Sequence, residues 1–162
     1  MRAYVGVGTN LGSRWAWLAL AARALRATPG IAVVRGSRVW DSAPLGPPQP
    51  RYLNAVLELE TGLPPRRLLA ALKAVERLAG RRRDVRWGAR TLDIDLLLLG
   101  DRVVAEPGLT VPHRELEARR FALQPLAELC GERVVPGTGR SVAALLAAAP
   151  EWELREVGGY PV

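Results

Sequence analysis

Apolar residues fill Ala3 to Gly8 over the length of one short strand, and the turn-formers Asn10-Leu11-Gly12-Ser13 close it. Ser13 is placed to cap a helix in which Trp15, Leu18, Ala22 and Leu25 recur at helical spacing until Pro29-Gly30 stops it. Ile31 to Trp40 reads as a second strand, turn-formers occupy Asp41 to Arg51, and Tyr52 to Glu60 alternates apolar with polar or small residues as a third strand. Pro64 and Pro65 suit the first turn of a helix whose apolar stripe is Leu68, Leu72, Val75 and Ala79, ended by Gly80. A strand follows from Leu92 to Leu99. Beyond it the pattern predicts a short pairing segment near Val103 and Val104, helices over Phe121 to Leu129 and Val142 to Ala149, and a tail from Trp152 to Val157.

Strand, helix, strand, strand, helix, strand is the order of a split βαβ, ferredoxin-like core. The expected class is therefore α+β, with a mainly antiparallel sheet, helices on one face, and a C-terminal elaboration of helices and strands. A length of 162 residues suits one domain over residues 1–162. No apolar run is long enough for a membrane span and the N-terminus enters a strand directly, so the expected location is the cytoplasm. A single cysteine, Cys130, excludes an internal disulfide and reads as a small buried filler at the end of a helix.

Charge sharpens the picture. The net charge is +7, and residues 81–90 hold five arginines against one aspartate, a net +4. This basic segment, with Arg81, Arg82, Arg83, Arg86 and Arg90, runs straight into Asp93 and Asp95. In a strand, alternate side chains share a face, which puts the two carboxylates roughly 6.5–7 Å apart at their Cα atoms. Like charges that close on an apolar strand call for a neutralising group, and a hard divalent cation such as magnesium serves most simply. Arginines beside such a cation suit a polyphosphate, whose charge must be cradled from several sides. The plainer alternative is a solvated basic loop before a strand that happens to carry two aspartates.

Several motifs carry a resemblance. Gly6-Val7-Gly8-Thr9-Asn10-Leu11-Gly12, Pro44-Leu45-Gly46, Tyr52-Leu53-Asn54-Ala55, Arg86 to Leu97, Val111-Pro112-His113 and Arg119 to Leu126 together resemble the 6-hydroxymethyl-7,8-dihydropterin pyrophosphokinases of folate biosynthesis, in order and nearly in spacing. The resemblance implies transfer of the terminal diphosphate of ATP to the hydroxymethyl group of the reduced pterin, with release of AMP and with two magnesium ions. Asp93 and Asp95 match its metal-binding pair, and Arg81 and Arg90 its catalytic arginines beside the phosphates. Tyr52 and Phe121 match its aromatic walls, with Asn54, Ser42, Ala43 and Leu45 as further pterin contacts. On the nucleotide side it implies Glu76, Arg83, Arg86, Trp87, Leu96, Thr110, His113 and Arg119, with residues 81–90 forming a loop that closes over the ligands. Substrates are then small molecules, and the chain is expected to act as a monomer without nucleic acid or membrane partners.

The main rival is an RNA-binding module, because ferredoxin-like sheets also carry RNA recognition and the chain is basic. It lacks aromatic-rich strands of that kind, and paired strand aspartates would repel a phosphate backbone.

Overall fold

The computed structural model describes residues 1–80 and 91–161. In chain order its elements are β1 (Arg2–Thr9), α1 (Arg14–Arg26), β2 (Ile31–Gly36), β3 (Arg38–Ser42), β4 (Tyr52–Thr61), α2 (Pro65–Leu78), β5 (Asp93–Leu99), β6 (Val104–Glu106), β7 (Leu109–Val111), a 3-10 turn (Leu116–Ala118), α3 (Arg120–Cys130), β8 (Val134–Val135), β9 (Arg140–Ser141), α4 (Val142–Ala148) and β10 (Leu154–Gly159). The main sheet runs β10-β3-β4-β1-β5, with β2 also paired to β4, and every pairing in it is antiparallel. This is the expected α+β, ferredoxin-like arrangement: each helix connection, α1 or α2, carries the chain across an intervening antiparallel strand.

Three expectations need correction. The segment Ile31 to Trp40 is not one strand: it breaks at Ser37, whose N–H donates to the Val56 carbonyl at 2.9 Å while its Oγ accepts the Val56 N–H at 2.8 Å. A hydroxyl thus takes the place of a backbone carbonyl, and β2 and β3 pair with different halves of β4. Ser13 starts α1 but makes no capping bond with its side chain. Helices also cover both faces of the sheet rather than one. On one face Ala3, Val5, Val7, Leu53, Leu57 and Leu59 pack against Leu18 and Leu25 of α1 and Leu68 and Leu72 of α2. On the other, Tyr4, Val56, Leu97 and Leu98 pack against Leu123 and Leu126 of α3 and Leu145 of α4. Each fully buried leucine in these layers contributes roughly 1.5–3 kcal/mol.

The α2 stripe lies where its period requires, with Leu68, Leu72, Val75 and Ala79 buried and Pro65 at a first-turn position that needs no N–H bond. The β1–β5 register shifts between Tyr4 and Val5, which partner Leu98 and Leu96, so Leu97 is the extra residue of a bulge. The bulge sends both Leu97 and Leu98 to the α3 side. Ahead of it on β5, Asp95 and Asp93 stand opposite Gly6 and Gly8 on that same face.

Candidate active site

Where α3 begins, the sheet face beneath it changes character. Gly6 and Gly8 of β1 present no side chain, Asn54 stands opposite Gly8 on β4, and Asp93 stands opposite Gly8 on β5. The missing side chains make room: a Cβ on Gly8 would lie 3.0 Å from Asn54 Oδ1 and 3.5 Å from Tyr52 Cδ1. The result is a cavity of about 270 Å³ lined by both glycines, Ser42, Ala43, Leu45, Tyr52, Asn54, Asp93, Asp95, Leu97, His113, Arg119 and Phe121. All six residues assigned to the pterin and both aspartates meet there, together with His113 and Arg119.

One side suits a flat heterocycle. Tyr52 and Phe121 both line it, and Asn54 Nδ2 donates to Ser42 Oγ at 2.5 Å, which fixes the carboxamide and leaves its oxygen and second N–H for a ligand's hydrogen-bonding edge. The loop from Ala43 to Arg51 is held from behind. Asn10 Nδ2 donates to Gln49 Oε1 and the Pro50 carbonyl, and Gln49 Nε2 donates to the carbonyls of Leu45 and Pro47. Arg51 Nε pairs with Asp41, and its guanidinium also reaches Glu153 at 2.8 Å.

The other side is charged. Arg119 donates to Glu115 at 2.6 Å, reaches Asp95 at 3.5 Å, and lies 5.7 Å over the centre of the Phe121 ring. His113 is anchored by its N–H to the Leu97 carbonyl at 3.0 Å. Its Nδ1 accepts the Glu115 N–H at 3.2 Å, so the proton of the neutral ring sits on Nε2, 4.0 Å from Asp95 Oδ2. Burial, and then the Arg119 guanidinium, hold the imidazole pKa below its ordinary value. Both effects favour the neutral ring.

Asp93 and Asp95 are both partly exposed to the cavity. Among the described residues no group of three or more His, Cys, Asp or Glu side chains is gathered for a metal. Two carboxylates on one strand face suit magnesium, which takes few protein ligands and keeps its remaining positions for water and phosphate oxygens.

Other assigned residues lie elsewhere. Leu96 is buried in the core layer that includes α1 and α2, so its side chain does not line the cavity. Thr110 is exposed on β7. Glu76 is not a helix-surface residue: it is 3% exposed, and its Oε2 accepts the Ile94 N–H at 2.7 Å, between the two aspartates. Arg81, Arg83, Arg86, Trp87 and Arg90 lie outside the described residues. Of the described residues that flank it, Thr91 Oγ1 donates to the Ala79 carbonyl at 2.7 Å.

The sequence reading missed Trp152, which packs against Phe121 with ring centres 5.9 Å apart and donates from Nε1 to the Ala43 carbonyl at 2.9 Å. Its remoteness from every motif hid it. Gly6 and Gly8 had a visible signal, two side-chain-free positions on one strand face.

Comparisons with known proteins place the chain in a family. The family model for 7,8-dihydro-6-hydroxymethylpterin-pyrophosphokinase matches residues 4–131. A 2-amino-4-hydroxy-6-hydroxymethyldihydropteridine pyrophosphokinase of Pseudomonas aeruginosa is 45% identical over 150 residues, covering 92% of this chain and 92% of its own. That of Haemophilus influenzae is 39% identical over 84% of this chain and 86% of its own, and that of Bacillus subtilis 37% identical over 79% and 77%. Among solved structures, the wild-type HPPK-DHPS of Plasmodium falciparum with SDX-DHP superposes with a TM-score of 0.71 at 12% identity. It covers 91% of this chain, which spans only 44% of that longer one, and the likeness is one of fold.

Proposed function

The chain belongs to the 7,8-dihydro-6-hydroxymethylpterin-pyrophosphokinase family, and we propose from the cavity's chemistry how its residues divide the work. The protein transfers the diphosphate of ATP to the hydroxymethyl group of 6-hydroxymethyl-7,8-dihydropterin, giving AMP and the pterin diphosphate, a step of folate biosynthesis. The hydroxymethyl oxygen forms a bond to the β-phosphorus while the bond to the α-phosphate oxygen breaks, and AMP leaves with that oxygen.

The observation that carries the division of roles is the placement, in one cavity, of an aromatic slot beside two strand carboxylates. Tyr52 and Phe121 stack the pterin, while Asn54 and Ser42 read its polar edge and Ala43 and Leu45 line the slot beside them. Asp93 and Asp95 hold magnesium, two ions in our reading, and the metal supplies charge neutralisation for the triphosphate and orientation for the attacking hydroxyl. His113 donates from Nε2 to phosphate, and Arg119 adds positive charge beside it. Arg81 and Arg90 are assigned to the transferring group from the sequence, with Arg83, Arg86 and Trp87 over the nucleotide. Glu76 acts on this side by holding Ile94, and Thr110 with the Leu96 backbone meets the adenosine. Catalysis then rests on in-line positioning and charge stabilisation, with no side chain assigned as general base.

RNA binding loses its support because both faces of the sheet are covered by helices. We take residues 1–162 as one domain, since β10, beyond the matched residues, joins the same sheet. No described helix is long and apolar enough to cross a membrane. A cytoplasmic monomer fits a site built by one chain for soluble substrates. The test is chromatography of nucleotides after incubation with ATP, magnesium and the pterin alcohol: AMP must appear only when all are present, and formation of ADP would refute diphosphate transfer.

A further inference from the structure

We propose that Trp152, which lies beyond the residues matched by the family model, is a positioning residue that sets the pterin wall by holding Phe121. The inference rests on the reading of the Phe121 cavity as the pterin slot.

Phe121 needs such a support. It lies in the first turn of α3, and Pro125 carries no N–H to bond the Phe121 carbonyl four residues earlier. Phe121 lines the main cavity and also a second hollow, bordered by Leu45, Ala118 and Trp152. A wall with open space beside it can swing aside, and its stacking surface is then lost to the ligand for part of the time. The Trp152 indole forms a wall of that hollow and meets the Phe121 ring at its edge, tilted 55° with 5.9 Å between centres, a favourable aromatic geometry.

Trp152 is itself well fixed. Its Nε1 donates to the Ala43 carbonyl at 2.9 Å, and the next residue accepts the Ala43 N–H at its own carbonyl, 3.2 Å away. These bonds extend the ladder in which Leu154 faces Ser42. Arg120, beside Phe121, donates to the carbonyls of Ala149 and Pro150 at 2.8 and 3.0 Å. The chain between α4 and β10 therefore grips both the start of α3 and the loop after β3. The bond to Ala43 thereby seats the indole against Phe121, and a wall fixed before binding spends less of the stacking energy on ordering.

The test is a cycle of variants with pterin and ATP measured separately. Trp152→Ala is expected to raise the pterin KM about three- to tenfold, the range of one aromatic pair, with the ATP KM unchanged within about twofold. Trp152→Phe should restore part of the loss, since a ring remains against Phe121 while the bond to Ala43 is gone. In a Phe121→Ala background, adding Trp152→Ala should change the pterin KM by less than about twofold, because residues acting through one another are not additive. Equal rises in both KM values, or a full further loss in the Phe121→Ala background, would overturn the proposal. Should Trp152→Ala not fold, Trp152→Leu keeps bulk without a ring: an unchanged pterin KM there would overturn it equally. Titrating the pterin by its own fluorescence gives the same comparison without turnover. A wild-type chain that bound pterin but released no AMP would therefore fail the transfer reading and leave this one standing on its own result.

Discussion

Replacing Glu76 by alanine is expected to injure both stability and turnover, although the residue sits on a helix outside the cavity. Glu76 is 3% exposed on α2, and its Oε2 accepts the Ile94 N–H at 2.7 Å. Among the described residues β5 is an edge strand, paired with β1 alone, so this carboxylate does for Ile94 what a neighbouring strand would otherwise do. Removing the acceptor leaves a buried N–H unsatisfied, at roughly 1–3 kcal/mol. For a chain of this length each kcal/mol corresponds to about 2–4 °C in Tm, so the fall should be about 2–12 °C. Glu76→Gln keeps an oxygen acceptor and should lose less than half as much.

Ile94 also lies between Asp93 and Asp95, so a strand released there misplaces both carboxylates, and small misplacements of reacting groups lower rates steeply, by up to about 100-fold per Å. Thermal unfolding followed by circular dichroism, with initial rates of AMP formation, reads both effects. A Glu76→Ala protein that melted within about 1 °C of wild type and kept its kcat/KM would refute the reasoning, because the Ile94 bond would then matter to neither fold nor site.

Asp93→Asn and Asp95→Asn should each lower magnesium-dependent AMP formation by at least about 100-fold, since charge stabilisation by a metal is worth several kcal/mol. Their Tm values should move little, because partly exposed ion pairs such as Asp95 with Arg119 contribute about 0–1 kcal/mol; undiminished turnover in both variants would remove the pair from the metal site. Burial pushes the Cys130 thiol up to about 11. At pH 8 about one molecule in a thousand then carries the thiolate, so alkylation by iodoacetamide should run over 100-fold slower than in urea and rise about tenfold per pH unit up to pH 10. Equal native and unfolded rates at pH 8 would contradict this.

Much of the frame was legible because local pattern and tertiary need coincide. The stripe of α2 and the alternation that places Asp93 and Asp95 on one face follow from the geometry of helix and strand alone. What escaped depended on partners distant in sequence. Ser37 interrupts a strand because its hydroxyl replaces a carbonyl opposite Val56, and nothing within Ile31 to Trp40 marks that exchange. A glutamate on a helix is ordinarily solvated, and Glu76 is buried only because β5 brings an N–H to it. Ser13 has the chemistry of a cap but a backbone ψ of 81°, without the capping bond. Trp152 meets Phe121 and Ala43 across 31 and 109 residues, beyond the reach of any local period.

The site arises from a change along strands that elsewhere build the core. On the face under α3 and α4, β1 offers Tyr4 and β4 offers Val56, both buried. Moving along the same face, β1 continues with Gly6 and Gly8, β4 with Asn54 and Tyr52, and β5 with Asp95 and Asp93. Alternation is unbroken on β1 and β4, so no irregular backbone is needed to turn packing into recognition; only the side chains change from large and apolar to absent, polar or charged. Rigid strands then fix the spacing of the polar groups more tightly than loops would. The arrangement has a thermodynamic consequence: carboxylates and a carboxamide on the floor of a cavity are partly desolvated, and a ligand that supplies their counter-charge and hydrogen bonds binds the folded chain alone, stabilising it by RT ln(1 + [L]/Kd). On the proposed assignment of Asp93 and Asp95 to magnesium, the stability of the fold should then rise with its own substrates.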